Sequence, residues 1–164
     1  MKWQCSICGV EHETVPLCFA SEPPWRALLP ESEFEQRVKL TVDQCVVDEK
    51  HFFIRGHIEI PIHEYPESLA FSVWSSLSEQ SFVHMAERWD APDRESDPPY
   101  FGWLCSSISV YPQTIHLKLS VQSRAPGLVP LFTVEPSDHA LSMDQRNGIT
   151  IERWKEMAHH LMHG

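Results

Sequence analysis

The sequence predicts an α+β fold: an antiparallel sheet with a short N-terminal CxxC knuckle and with helices packed on one face, two of them C-terminal. Residues 51–63 and 114–122 alternate apolar and polar side chains, which is typical of strands that bury one face. Residues 79–89 and 150–163 instead repeat apolar side chains at helical spacing. Turns join the predicted strands, without the strand–helix–strand rhythm of parallel sheets, and this favours antiparallel pairing.

The length and composition favour one domain over residues 1–164, since 164 residues suffice to bury a core and 42% of them are hydrophobic. We divide this domain into a metal-binding-like knuckle (1–15), an antiparallel sheet with one inserted helix (40–135) and C-terminal helices (137–163). A proline-rich connector links the knuckle to a short predicted helix over 31–38.

The charge pattern limits the partners that the chain can bind. The formal net charge is −10, and the 13 Lys and Arg residues are scattered along the sequence. Nucleic acids and anionic membranes require clustered cations, so the sequence predicts neither as a partner. A protein partner, basic in character, remains compatible with this charge.

The N-terminus lacks the apolar stretch of a signal peptide, and no apolar run has the length of a membrane span. We therefore expect a cytoplasmic location. In that compartment the five cysteines are expected to be free thiols or metal ligands and not a disulfide framework.

The clearest strand signal lies in residues 51–63, where the even positions are apolar and the odd positions include Arg55, His57, Glu59 and His63. Gly56 is expected to mark a bulge or a close backbone approach. Residues 41–47 are expected to pair with this strand as a hairpin across the turn 48–50.

A second strand is predicted over 69–77, followed by a helix over 79–89 that Ser78 caps. The apolar face of this helix is expected to comprise Phe82, Ala86 and Trp89. The acidic, proline-containing stretch 90–99 is expected to be an exposed loop.

The C-terminal third is predicted to contain two strands and two helices. The strands are 114–122, with Ile115, Leu117, Leu119 and Val121 pointing inward, and 129–135. A helix over 139–147 would be capped by Asp138 or Ser137 and would end at Gly148, and Thr150 would cap the last helix.

Cys5 and Cys8, followed by Gly9, form half of a tetrahedral zinc site. The spacing leaves three candidates for the other ligands: His12, Cys45 and Cys18. A pair of reduced cysteines in a surface turn is the alternative. A redox CxxC is disfavoured, because no strand–helix–strand unit surrounds the motif.

Arg55, His57 and Glu59 share the polar face of the strand 51–63, and His116 could join them from a neighbouring strand. One interpretation is a small enzyme that uses this face for acid–base chemistry. A solvated sheet face explains the same alternation and is favoured. The two interpretations differ in whether these side chains line a concave pocket.

Five segments of the chain resemble a known family: Cys5-x-x-Cys8-Gly9, Asp43-x-Cys45-x-x-Asp48 leading into His51-Phe-Phe-Ile-Arg-Gly56, Pro-Pro-Tyr-Phe-Gly-Trp-Leu104, Glu-Pro-Ser-Asp-His139 and Gln145-Arg-Asn-Gly-Ile149. Together they resemble the bacterial domain of unknown function (DUF) family 2199. The resemblance implies a single-domain cytosolic bacterial protein without an assigned activity.

The resemblance also bears on the metal ligands. Cys5, Cys8, His12 and Cys45 match residues typical of the family, whereas Cys18 and Cys105 are peculiar to this chain. Four protein ligands would leave no open position for a catalytic water, so such a zinc ion would be structural. We therefore expect a binding or interaction module with a structural zinc site, the alternative being the small enzyme that uses Arg55, His57 and Glu59.

Overall fold

The computed structural model describes residues 3–4, 11–12 and 15–163. Over these residues the chain is α+β, with ten strands and four α-helices. The strands are β1 (Trp3–Gln4), β2 (Glu11–His12), β3 (Cys18–Ala20), β4 (Val38–Leu40), β5 (Gln44–Val47), β6 (His51–Ile60), β7 (Leu69–Leu77), β8 (Tyr100–Trp103), β9 (Lys118–Gln122) and β10 (Leu131–Val134). The helices are α1 (Phe34–Arg37), α2 (Glu79–Glu87), α3 (Ala140–Asn147) and α4 (Ile151–His163).

The main sheet is mixed, so the prediction of an antiparallel sheet is wrong. Its order is β3-β7-β6-β10-β9-β8, with β5 also paired to β6 and β4 to β5. β3 runs parallel to β7, and β10 runs parallel to β6. Turn signals report only on strands that are consecutive in sequence, and these two pairs join strands far apart in the chain.

The sheet curls until β8 meets the end of β7. Leu104 forms a bridge with Ser75, and the backbone N–H of Cys105 donates to the Trp74 carbonyl at 2.8 Å. Gly102 permits this approach, because a Cβ there would lie 2.1 Å from Ser75 Oγ. The strands β7, β6, β10, β9 and β8 thus enclose an interior, as in a small barrel.

The interior of the curled sheet holds the main core. The period-two prediction for β6 is confirmed, since Ile54, Ile58 and Ile60 are completely buried. Gly56 is the expected close approach: a Cβ there would lie 2.4 Å from a ring carbon of Phe132. Helices α2, α3 and α4 all contribute buried residues to this core.

A second apolar cluster lies on the outer face of β6 and β7. It comprises Trp25, Leu29, Val38, Cys45, Val47, Phe53 and Trp74. The predicted hairpin of β5 with β6 is confirmed and places Cys45 opposite Phe53. Phe34 of α1 packs on this cluster, so the helices do not all share one face of the sheet.

Several predicted helix ends are confirmed. The Ser78 hydroxyl accepts from the N–H of Ser81 at the start of α2, and the Thr150 hydroxyl accepts from the N–H of Arg153 in α4. At α3 the cap is His139, whose Nδ1 accepts from the N–H of Leu141, in place of Asp138 or Ser137. The predicted apolar face of α2 is wrong at one position: Ala86, expected on that face, is exposed, and the buried residue of the helix is Met85.

β9 is shorter than predicted, because Thr114 turns inward. Its hydroxyl donates to the Ser106 carbonyl at 2.7 Å, and the side chain is completely buried. The chain then turns at His116, with a φ of 75°, and Ile115 is exposed instead of inward. Within the described residues, no helix has both the length and the apolar character needed to cross a bilayer.

Candidate functional site

The polar face of β6 is formed as predicted. Arg55, His57 and Glu59 are partly buried and alternate with the buried apolar residues of the strand. The antiparallel register places His57 opposite Ser72 of β7, and Leu131 of β10 lies on its other side. The three predicted side chains therefore lie together on the outer surface of the curled sheet.

Arg55 is fully engaged by its neighbours. Its Nη2 donates to Asp43 Oδ1, its Nη1 to Ser72 Oγ and its Nε to the Val42 carbonyl, each at 2.9 Å. The turn between β4 and β5 supplies two of these acceptors. Arg55 thus joins the β4–β5 hairpin to the sheet. Because these hydrogen bonds occupy its guanidinium, Arg55 has little capacity left to bind an anion.

Glu59 is held by Arg124, which donates from Nη1 to Glu59 Oε2 at 2.8 Å. The Arg124 Nε donates to the Val129 carbonyl, so the guanidinium also closes the loop before β10. His57 Nδ1 lies 4.0 Å from the same carboxylate oxygen, beyond hydrogen-bond distance. Burial lowers the pKa of His57, and the charges of Arg124 and Arg55 lower it further, against the opposite effect of Glu59.

His116 does not join this group. Leu131 aligns with both His57 and Gln122, so the polar face lies beside the C-terminal end of β9. His116 precedes the opposite end of β9, where its backbone pairs with Leu104. The length of β9 therefore separates His116 from His57.

None of the five cavities described for this part of the chain is lined by Arg55, His57 and Glu59 together. Arg55 lines a cavity of about 230 Å³ together with Asp43, Asp90 and Arg94. His57 and Glu59 line none of the five cavities described for this part of the chain. The concave arrangement that would favour an enzyme is absent at His57 and Glu59 among these cavities.

The predicted metal site falls mainly on residues that the structure does not describe. Cys5 and Cys8 lie outside the described residues, as does the His12 side chain, although the backbones of β1 and β2 pair antiparallel on either side of the CxxC motif. Among the residues that are described, no group of three or more His, Cys, Asp or Glu could hold a metal ion. The zinc site therefore stays a prediction.

Cys45, the fourth predicted ligand, is described and completely buried. Burial in the second cluster raises the pKa of its thiol to about 11, and a backbone hydrogen bond with Trp25 only partly offsets this effect. Zinc binds the thiolate, so metal binding here would have to displace the proton from a thiol that favours its neutral form.

Arg94 was expected in an exposed loop but is 5% exposed. Its guanidinium donates to the carbonyls of Arg124, Trp89, Ala125 and Leu128 and lies over the Trp89 ring. No carboxylate accompanies it among its described contacts. The sequence carries no signal for this burial, because the surrounding residues are acidic and proline-rich.

A second buried polar group joins the C-terminal helices to the loop before β9. The Tyr111 hydroxyl donates to Asp144 Oδ2 at 2.7 Å, and Arg153 Nη2 lies 2.7 Å from the same oxygen. Burial and the Asp144 hydrogen bond raise the pKa of Tyr111. These three residues fix the packing of α3 and α4.

The fold and the site define a small α+β protein with a curled mixed sheet and an ion-paired polar face. Residues 4–149 match the model of a family described as an uncharacterised protein conserved in bacteria (DUF2199), and the chain belongs to this family. No curated protein and no solved structure matches the chain significantly.

Proposed function

We propose that this protein is a binding module and not an enzyme. The observation that carries the proposal is the pairing of the polar face: Asp43 holds Arg55, and Arg124 holds Glu59. A general base needs a free position next to the substrate and a pKa near the working pH. The pKa of His57 is lowered, and its neighbours Arg55 and Glu59 are both paired. The face therefore provides neither an anion clamp nor an available acid.

Exposed apolar side chains support a role in binding. Phe101 and Trp103 are 54% and 41% exposed, and their rings pack edge to face with their centroids 5.1 Å apart. Both project from β8 on the outer side of the curled sheet. Exposed aromatic residues of this kind are frequent in the energetic centres of protein interfaces.

The proposal includes a structural zinc ion bound by Cys5, Cys8, His12 and Cys45. Elemental analysis of reduced protein purified without a histidine tag tests this part. We expect close to one equivalent of zinc, which Cys5→Ser removes and Cys18→Ser retains. Less than about a tenth of an equivalent in the wild-type protein would overturn the zinc assignment but not the binding role.

Site-specific photo-crosslinking in the bacterium tests the binding role itself. A photoreactive amino acid is placed at exposed positions on different sides of the molecule, such as Ser32, Phe101 and Asp138. A binding module predicts an adduct with one polypeptide of defined mass at neighbouring positions and none elsewhere. The absence of any adduct across the surface would overturn the proposal.

A further inference from the structure

Among the described residues, no strand covers the outer edge of β3, which is therefore an open hydrogen-bonding edge. β3 is the first strand in the sheet order, and the one described strand that pairs with it is β7. The Leu17 carbonyl and the Ser21 N–H face β7, so the alternation of a strand turns the backbone groups of Cys18 and Ala20 outward. Within the described residues these outward groups have no hydrogen-bond partner, and both side chains are exposed.

This edge borders a cleft of about 450 Å³. Phe19 and Ala20 form one side, and the segment 106–109 forms another. Phe71, Ile108 and Leu161 supply apolar surface. An extended peptide that adds to a sheet edge obtains main-chain hydrogen bonds from the edge and side-chain contacts from such pockets.

A larger groove, of about 640 Å³, adjoins the cleft. It is lined by Trp25, Phe34 and Leu40 and by the three carboxylates of Glu22, Glu31 and Glu35. One guanidinium, that of Arg26, also lines it, so the ionisable side chains of the groove carry a net charge of −2.

The carboxylates of this groove are poorly neutralised. Arg26 lies 3.7 Å from Glu22 and 3.9 Å from Glu31, and all three side chains are at least half exposed. Glu35 has no ion pair within the described part of the chain. The Arg26 guanidinium also lies over the Trp25 ring, 4.7 Å from its centroid, so a cation of the chain itself already packs on the aromatic wall of the groove.

The cleft and the groove are adjacent, because Glu22, Pro23 and Arg26 line both. We propose that together they bind an extended, basic segment of a protein partner, whose backbone adds to β3 and whose Arg or Lys side chains enter the acidic groove. This inference rests on the proposed binding function and names the chemistry of the partner. The net charge of −10 favours the same kind of partner.

The probe is an end-blocked peptide in which valine and arginine alternate, and its affinity is measured by fluorescence anisotropy. Two matched peptides separate the two parts of the surface: one carries glutamate in place of arginine, and one keeps the arginines but is N-methylated on the backbone. We expect each change to weaken binding by about tenfold or more, since charge-assisted and main-chain hydrogen bonds are lost.

Variants of the full chain test the same surface. The groove is tested by the triple variant Glu22→Gln/Glu31→Gln/Glu35→Gln, which should bind the arginine peptide more weakly. The control makes an equal change of charge at exposed positions elsewhere, Glu64→Gln/Glu67→Gln/Glu87→Gln, and should not weaken binding. Ala20→Pro removes an outward N–H and leaves the groups that face β7. The N-methylated peptide tests the edge with unaltered protein, whatever the effect of the proline on folding.

The inference would be overturned if the glutamate peptide or the N-methylated peptide bound the protein as tightly as the arginine peptide does. It would also be overturned if the two triple-glutamine variants bound the arginine peptide with equal affinity. The crosslinking experiment reports separately on the binding role. Adducts on another face, together with failure of the arginine peptide, would contradict the basic-peptide surface alone. A surface without any adduct would contradict the binding function as well.

Discussion

Arg124 and Glu59 are 65 positions apart in the sequence, and Arg124 Nη1 donates to Glu59 Oε2 at 2.8 Å. Their contact joins the segment between β9 and β10 to the centre of β6. It also places a cation beside His57 and occupies the carboxylate that acid–base chemistry on this face would need. This single ion pair therefore links two distant segments of the chain on the polar face.

A double-mutant cycle of Glu59→Gln and Arg124→Met measures this pair. Both side chains are partly buried, so we expect a coupling free energy of about 0.5–1 kcal/mol, near the upper end for surface pairs. Urea unfolding of the four proteins at neutral pH gives the value. The same cycle on Lys39 and Glu49, an exposed pair at 3.5 Å, should give a smaller coupling, and equal couplings would contradict the account.

Arg94→Met tests the buried guanidinium. Its loss leaves four carbonyls of the surrounding loops without their donor, and we expect the free energy of unfolding to fall by about 3 kcal/mol. Arg26→Met, at a half-exposed arginine, is the control and should change it by less than about 0.5 kcal/mol. Hydrogen exchange should rise in residues 124–128 of Arg94→Met, and unchanged protection there would show that Arg94 does not order the loop.

Tyr111→Phe removes only the hydroxyl that donates to buried Asp144. We expect a loss of about 1–2 kcal/mol in the free energy of unfolding, because Asp144 keeps its contact with Arg153. Tyr65→Phe is the matched control: its ring also packs in the core, against Trp154, and its hydroxyl has no hydrogen bond within the described residues. Similar losses in both variants would argue against the Tyr111–Asp144 bond as the cause.

The stability should also depend on pH through His57. Because the folded state lowers the pKa of His57, the unfolded chain takes up the proton first as the pH falls through about 6.5. The free energy of unfolding should therefore fall on acidification, and by less in His57→Gln. Urea unfolding at pH 7.5 and 5.5 makes this comparison, and an equal decrease in both proteins would contradict the lowered pKa.

The alternation of residues in β6 and the caps at Ser78 and Thr150 were predictable, because these features depend on neighbours within a few positions of the chain. The parallel pairs β3–β7 and β6–β10 were not, since they join segments that no turn connects. Thr114 shows the same limit: the strand pattern continues through it, but a hydrogen bond to Ser106 turns the side chain inward.

The candidate site divides in the same way. Strand periodicity was sufficient to place Arg55, His57 and Glu59 on one face, but their partners Asp43 and Arg124 come from other elements. These partners favour structural pairing of the face over acid–base chemistry, which is the basis of the proposed binding role. Arg94 could not be found from the sequence, because its acceptors are backbone carbonyls, which every residue has.

The pKa of His57 tests the central claim, a binding module with a paired polar face, most directly. NMR titration of the imidazole ring, assigned by the loss of its signal in His57→Gln, gives the value in the folded protein. The account predicts a pKa below about 6.5, lower still in Glu59→Gln and higher in Arg124→Met. A pKa at or above about 7 would be that of a general base poised for catalysis and would contradict it.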